Sequence, residues 1–418
     1  MIVEFSVKNF RSIKEMQTIS FVATGLKSTN KNAEVDENNI VEKDGLRLLK
    51  TVGIYGANAS GKTNVLKALT HFTEVIFREP STNSFLSPLC KPFYFQEGKQ
   101  NQESFFQIVL IIEGRKYRYG LTVKKNDQVR NGNFNESKHI ITNEWLYGKK
   151  EKNMRLLFKR QLREIENKLF AADKIPNSIA YDHNLFLSHA AAFDENGICK
   201  KIKDFLAYLR SNTNGEMEEF RILSIGLVKD SSHHKASVLN ILSIFNLSYE
   251  DILIAKKSDS EEVHPMEKIA LKKNNVHLNL GLDESAGTQK LFDLAGLLLI
   301  SLQTNYCPII VLDEIDSNFH PSLVIKLVNL YNNPATNLTN AQLLFTSHDT
   351  NLMSPSIMRR DQFYFTEKNE DDSTRLYSLA DLKGIKDDAD FARQYLAGYY
   401  GAVPVLKDYV APEMVENE

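Results

Sequence analysis

The stretch LLKTVGIYGANASGKTNVLKALTHF, residues 48–72, decides the fold. Its centre fits the pattern G-x-x-x-x-G-K-[ST] through Gly56, Gly61, Lys62 and Thr63. The apolar, β-branched residues before the motif predict a buried strand, and the apolar residues after it recur at helical spacing. A strand, a glycine turn and a helix N-terminus in this order predict a phosphate-binding loop, whereas an ordinary strand-to-helix turn would not need the motif.

The chemistry of this loop follows from its residue types. Backbone N–H groups and the helix dipole attract anionic oxygens, Lys62 can reach the β- and γ-phosphates, and the Thr63 hydroxyl can ligate Mg²⁺. The predicted nucleotide-binding residues of the loop are Gly56, Ala57, Asn58, Ala59, Ser60, Gly61, Lys62, Thr63 and Asn64.

Composition limits the remaining possibilities. The 418 residues carry a formal net charge of −2, which gives no overall basic field for nucleic acid. The three cysteines, Cys90, Cys199 and Cys307, form neither a metal-binding pair nor a disulfide framework. The first residues lack a signal-peptide core, and the apolar run at 294–302 is too short to span a bilayer. We therefore expect a cytoplasmic protein without membrane contact.

Two later strands end in polar residues that suit nucleotide hydrolysis. The run PIIVLDEID, residues 308–316, predicts a buried strand after which Asp313 can hold Mg²⁺ and Glu314 can orient and deprotonate a water. A strand that simply ends in polar residues is the alternative. The run AQLLFTSHDTNLM, residues 341–353, predicts a further strand that places His348 where a γ-phosphate sensor belongs.

Changes in residue spacing and charge along the chain divide it into three parts. Residues 1–139 predict a β-rich ATPase lobe, because alternating residues open the chain and a Glu-Gly turn separates two strand-like runs at 104–124. Residues 140–270 predict a mainly helical insertion, based on the charged stretches at 151–170 and 199–210. Residues 271–418 predict the second ATPase lobe.

The stretch DESAGTQKLF, residues 283–292, adds a second glycine turn before an apolar helix. Phosphate loop, signature turn, Asp-Glu strand and His strand occur in the order that resembles ABC-type ATPases. The resemblance implies an α/β P-loop fold, ATP with Mg²⁺ as cofactors, and a homodimer with composite ATP sites. It also implies that Ser285 and Gly287 cap the γ-phosphate held by the partner subunit, whereas a serine helix cap is the alternative reading.

Further motifs narrow this resemblance. The stretch FSVKNFRSIKE, residues 5–15, is similar to the opening strand of SMC and RecF ATPases, which makes Arg11 either a nucleotide contact or a solvated arginine. The set ESAGTQKL, VLDEIDSNFHPSL, TSHDTNLM, RRDQFYFTEK and YLAGYYGAVP resembles the stand-alone RloA/AbiL type of bacterial ATPase, of the wider SMC, RecF and OLD-like group. The signature departs from the common Leu-Ser-Gly-Gly-Gln wording, and Gln96 and Gln107 are equal candidates for a glutamine loop.

The resemblance implies a function in defence against phage. We expect an ATP-hydrolysing switch that controls a toxin or nuclease, and this effector is expected on a separate polypeptide because the chain stops soon after YLAGYYGAVP. The alternative is a RecF- or SMC-like DNA-maintenance ATPase, which would bind nucleic acid. The motor subunit of a membrane transporter is a weaker third interpretation.

Overall fold

The computed structural model describes the chain in segments. The described residues are 1–78, 85–95, 102–126, 139–150, 152–170, 177–194, 197–213, 217–255 and 269–405, and the candidate Gln96 lies outside them.

The described residues form a mixed α/β structure. Its strands are β1 (Ile2–Lys8), β2 (Gln17–Ser20), β3 (Ile40–Lys43), β4 (Leu46–Leu49), β5 (Thr51–Gly56), β6 (Ser104–Ile112), β7 (Arg115–Lys125), β8 (His139–Lys150), β9 (Asn153–Gln161), β10 (Glu164–Asn167), β11 (Arg210–Ser211), β12 (Asp251–Ile254), β13 (Ile269–Lys273), β14 (Val276–Asn279), β15 (Ile309–Leu312), β16 (Gln342–Thr346), β17 (Phe363–Lys368) and β18 (Thr374–Ser378). Its helices are α1 (Ala33–Asn38), α2 (Lys62–Phe77), α3 (Phe186–Phe193), α4 (Ile198–Ala207), α5 (Glu218–Asp230), α6 (Ser232–Ile244), α7 (Ala286–Gln303), α8 (Pro321–Asn332) and α9 (Phe391–Leu396).

A mainly parallel sheet carries the predicted phosphate loop. Its strand order is β11-β15-β16-β5-β17-β18, and only β17 and β18 pair antiparallel. Every residue of β5 is buried, as expected for a strand that is covered on both faces. The carboxyl ends of β5, β15 and β16 therefore meet at one edge, which is where ligands bind in open parallel sheets.

An antiparallel sheet forms the predicted β-rich region, with the order β10-β9-β8-β7-β6-β1-β2. The turn between β6 and β7 has φ angles of 50° at Glu113 and 73° at Gly114, which suits a tight hairpin turn. The predicted Glu-Gly hairpin is thus confirmed. Two smaller sheets, β12-β13-β14 and β3-β4, complete the described strands.

Helix α2 packs against both large sheets. The Phe72 ring lies 5.8 Å from the ring of Phe5, 6.0 Å from that of Phe106 and 5.9 Å from that of Tyr119, all on the antiparallel sheet. On its other side α2 contacts β5 and β16 of the parallel sheet. The opposite face of the parallel sheet forms a separate core with α7 and α8. The phosphate loop therefore stands between two apolar cores that fix its position.

The predicted helix at 151–170 is wrong, because residues 153–161 and 164–167 form strands β9 and β10 of the antiparallel sheet. A bulge interrupts the pairing of β8 with β9, so that Phe158 opposes Leu146 while Leu156 opposes Tyr147. The bulge breaks the two-residue alternation and produces apolar spacings that imitate a helix. The predicted helix at 199–210 is confirmed as α4. The predicted boundary at 139 and 140 falls within β8, inside the antiparallel sheet.

Candidate nucleotide site

The phosphate loop, residues 56–64, joins β5 to α2. Its backbone has positive φ at Gly56 (150°), Ala59 (60°) and Gly61 (109°), a region that residues with a Cβ rarely adopt. A Cβ added to Gly61 would overlap the side-chain hydroxyl of Thr374 on β18. Backbone conformation and close packing therefore both require glycine at 61, and the turn leaves the N-terminus of α2 facing the ligand position.

The ammonium of Lys62 lies within the phosphate loop. Its Nζ donates to the carbonyl oxygens of Gly56 at 2.8 Å and Ala57 at 3.0 Å. Burial lowers the pKa of Lys62, and the carboxylates that follow β15 oppose that effect. This desolvated cation is placed to exchange neutral carbonyl partners for anionic phosphate oxygens, which accept stronger hydrogen bonds.

Hydroxyl groups hold the loop from behind. Ser60 shares a hydrogen bond of 2.6 Å with Thr366 on β17, and Ser12 shares one of 2.7 Å with Thr374 on β18. The Asn64 amide donates to the Ser12 hydroxyl at 2.7 Å. Residues that are far apart in sequence thereby fix the loop, and local motifs give no signal of these contacts.

The predicted carboxylates lie at the end of β15. Thr346, at the end of β16, donates to Asp313 Oδ1 at 2.6 Å and accepts the Glu314 N–H at 2.8 Å. Asn212 makes two hydrogen bonds with the backbone of Asp313. Its Oδ1 accepts the Asp313 N–H at 2.7 Å, and its side-chain amide donates to the Asp313 carbonyl at 3.1 Å. Glu314 is exposed and has a φ of 48°. Sequence analysis missed Thr346 and Asn212, whose roles depend on tertiary contacts.

A cavity of about 630 Å³, here called the nucleotide cavity, lies over the phosphate loop; small-molecule sites typically span about 300–1,000 Å³. The Gly56 and Ala57 carbonyls and the Ser60 hydroxyl support the loop behind it. The predicted residues that line this cavity are Arg11, Asn58, Ala59, Gly61, Lys62, Thr63, Asn64, Asp313, Glu314 and His348.

The nucleotide cavity also has lining residues that sequence analysis missed. Tyr94 and Phe95 contribute aromatic rings that are 52% and 56% exposed. Lys368, at the end of β17, adds a cation beside the hairpin turn. These side chains belong to loops and strand ends with no motif of their own.

Arg11 lines the nucleotide cavity. Its N–H donates to the Lys91 carbonyl at 2.7 Å, and its guanidinium lies 5.7 Å from the centre of the Phe10 ring. Of the two glutamine candidates, Gln107 lies in β6 and accepts the Trp145 indole N–H at 3.3 Å, outside the nucleotide-cavity lining.

The signature turn, residues 284–290, lies beside a second cavity. Ser285 caps α7 by accepting the Thr288 N–H at 3.2 Å, so the helix-cap reading describes its contacts within this chain. A Cβ added to Gly287 would lie 2.7 Å from the Asn318 carbonyl oxygen. The second cavity, of about 620 Å³ and here called the signature cavity, is lined by Ala286, Gln289 and Lys290 from this turn, together with Thr63, Asp313 and Glu314. Neither Ser285 nor Gly287 lines the nucleotide cavity of its own chain.

The oxygen donors present fit magnesium. The Thr63 hydroxyl and the Asp313 carboxylate line the same nucleotide cavity, and hard oxygen ligands are those that Mg²⁺ prefers. Within the described part of the chain, no group of three or more His, Cys, Asp and Glu residues could hold a metal ion. Thr63 and Asp313 would therefore hold the ion together with nucleotide phosphates and water.

A phosphate loop on the buried parallel strand β5, with paired carboxylates at the end of β15 two strands away in the same sheet, defines a P-loop nucleoside triphosphatase. The chain belongs to the family described as "AAA domain, putative AbiEii toxin, Type IV TA system", which matches residues 52–354. Among solved structures, the SMC head domain from Thermotoga maritima is similar, with a TM-score of 0.43 and 13% identity over 90% of this chain and 98% of that chain. No curated protein sequence matches the chain. No helix among the described residues has the length and apolarity that crossing a membrane requires.

Proposed function

We propose that the protein is an ATP-hydrolysing ABC-type switch. The observation that carries this proposal is the convergence of the phosphate loop with Asp313, Glu314 and His348 around one cavity. Bound Mg²⁺-ATP supplies the phosphoanhydride bond. Lys62 neutralises phosphate charge, Glu314 orients and deprotonates the attacking water, and His348 contacts the γ-phosphate.

We propose further that ATP joins two copies of the chain. Support comes from Ser285 and Gly287, neither of which lines the nucleotide cavity of its own subunit. A serine hydroxyl and a helix N-terminus are suited to an anion, so the signature turn would cap the γ-phosphate held by the partner.

The biological role we propose is control of a separately encoded toxin or nuclease in anti-phage defence, in the cytoplasm. The family description names a toxin–antitoxin system, and the motif set resembles the RloA/AbiL type. The alternative is a RecF- or SMC-like DNA-maintenance ATPase. It is favoured by Arg11, which lines the nucleotide cavity at the end of an SMC-like opening strand.

Phage challenge of cells that carry the chain with its neighbouring genes tests this role. Lys62→Ala should abolish protection because the loop loses its phosphate cation, whereas Lys326→Ala, an exposed lysine on α8, should protect like the wild type. Absence of wild-type protection together with DNA-stimulated ATP hydrolysis would support the DNA-maintenance alternative instead.

A further inference from the structure

Lys290, the last residue of the signature turn, is a buried lysine whose ammonium has several partners. Its Nζ donates to the Ser317 carbonyl at 2.8 Å and the Ser317 hydroxyl at 2.7 Å, and it also lies 3.2 Å from the Glu314 carbonyl oxygen and 3.3 Å from that of Ile315. The same Nζ lies 4.8 Å from the centre of the Phe319 ring. One cation from α7 therefore contacts four residues of the segment that begins at the hydrolytic carboxylates, residues 313–319, here called the catalytic turn.

The catalytic turn has a backbone that requires such support. Glu314 has a φ of 48° and Asn318 a φ of 63°, and a residue with a Cβ held in this region costs about 1–3 kcal/mol. Such conformations persist only where surrounding contacts impose them. Lys290 supplies those contacts between the two residues, and Gly287 allows the Asn318 carbonyl to approach α7.

The lysine is expensive to bury, which argues against a role in packing alone. Lys290 is only 9% exposed. Burial lowers its pKa to about 8, although the carboxylates of Asp316 and Glu314 favour the charged form. An apolar side chain of similar length would fill the same space without this desolvation cost.

We propose that Lys290 is a positioning residue that couples the signature turn to Glu314 of the same subunit. The coupling rests on the proposed function, in which Ser285 and Gly287 bind the nucleotide of the partner. Ser285 and Lys290 belong to one continuous helical start, so a displacement at the first is transmitted to the second. Capping the partner's γ-phosphate thereby favours the catalytic orientation of Glu314, so each site hydrolyses ATP faster when the opposite site also holds ATP.

Substitution of Lys290 separates binding from hydrolysis. Lys290→Met keeps the length and removes the charge, so ATP affinity and ATP-driven dimerisation should stay within about twofold of wild type. The kcat should fall by about tenfold to a hundredfold, because a misplaced catalytic group loses reactivity steeply. Lys290→Arg, which restores the cation, should recover part of that loss. Lys326→Met on α8 is the matched control and should leave kcat and KM unchanged.

A double-mutant cycle tests the coupling itself. The effects of Ser285→Ala and Lys290→Met on kcat should be non-additive, because both act through the same contacts. An unchanged kcat in a folded Lys290→Met dimer, or strict additivity, would overturn the coupling. If Lys290→Met does not fold, Ser317→Ala removes one of its bonds instead, and an unchanged kcat there has the same meaning. Absence of hydrolysis by the wild type would instead refute the proposed function.

Discussion

The two glycine turns of this chain differ in how completely each is supported. The phosphate loop is enclosed by a buried strand, a helix and hydroxyl partners from β17 and β18, and its lysine lies inside the turn. The signature turn has a serine cap and a helix start, but its lysine, Lys290, points to the catalytic turn of its own chain. The first turn has the parts of a complete phosphate-binding loop, and we propose that the second turn is half of a site that a partner subunit completes.

This difference separates two kinds of glycine. Gly61 combines a φ of 109° with close packing, so its role is set by the fold of one subunit. Gly287 has ordinary helical geometry, and only the close approach of the Asn318 carbonyl restricts it. We therefore expect changes in the first turn to affect nucleotide binding, and changes in the second to affect hydrolysis and assembly.

The largest expected effect lies at Glu314, which lines the cavities beside both turns. Glu314→Gln keeps the size and polarity of the side chain but removes its capacity to accept a proton. The rate of ATP hydrolysis should fall by ~10²–10⁴-fold, with ATP affinity close to wild type. A steady-state assay combined with equilibrium binding measures both quantities.

Lys62→Ala provides the contrast for that experiment. It removes charge-assisted bonds worth roughly 1.5–3 kcal/mol each, so ATP affinity itself should weaken by about tenfold to a hundredfold. Near-normal hydrolysis by Glu314→Gln would show that Glu314 is not the general base.

Acid should affect the helix behind the phosphate loop. Burial lowers the pKa of His71 on α2 from 6.5 to about 4, aided by the nearby cations Arg11, Lys91 and Lys67. The folded state therefore keeps His71 neutral. The contribution of this neutral histidine to the unfolding free energy is fully present above pH 6.5 and is lost as the pH falls towards 4. The shift corresponds to about 3 kcal/mol of unfolding free energy at and below pH 4.

Urea unfolding of wild type and His71→Gln between pH 4 and pH 8 measures this effect. The wild type should lose stability relative to the variant as the pH falls through that window. Parallel pH profiles would show that the histidine does not stay neutral in the folded state.

The smallest effects compare the two glycines directly. Gly61→Ala should lower the unfolding free energy by about 1–3 kcal/mol, because of the positive φ, and should weaken ATP binding. Gly287→Ala should keep ATP affinity but lower kcat, since its Cβ would press on the Asn318 carbonyl. Gly25→Ala, where a Cβ meets open space, is the control and should change stability by less than about 0.5 kcal/mol. Equal ATP affinities for the two turn variants would contradict the assignment of binding to the first turn.

The sequence predicted those parts of the molecule that depend on local spacing. The phosphate loop, the β15 strand end and the Glu-Gly hairpin each carry a short motif with its own physical reason. The partners Asn212 and Thr346 were missed because they reach Asp313 only after distant strands pair. Lys290 belongs to the ESAGTQKL motif, but local residue spacing does not predict its contact with the catalytic turn.

The misread helix at 151–170 shows how periodicity fails. Leu162 occupies the two-residue turn between β9 and β10 with a φ of 50° and is 47% exposed. An apolar residue at a turn, added to the bulge near Leu157, gave strands the apparent spacing of a helix. Tertiary pairing, not local pattern, determines the structure there.

Mixing two inactive variants tests most directly whether the phosphate loop of one chain and the signature turn of the other form one ATP site. Lys62→Ala keeps a good signature turn, and Ser285→Arg keeps a good phosphate loop while inserting bulk and charge at the cap. We predict that each variant alone hydrolyses ATP poorly, and that the mixture regains part of the activity because each heterodimer rebuilds one composite site. Wild-type hydrolysis by Ser285→Arg alone, or a mixture no more active than its separate components, would contradict it.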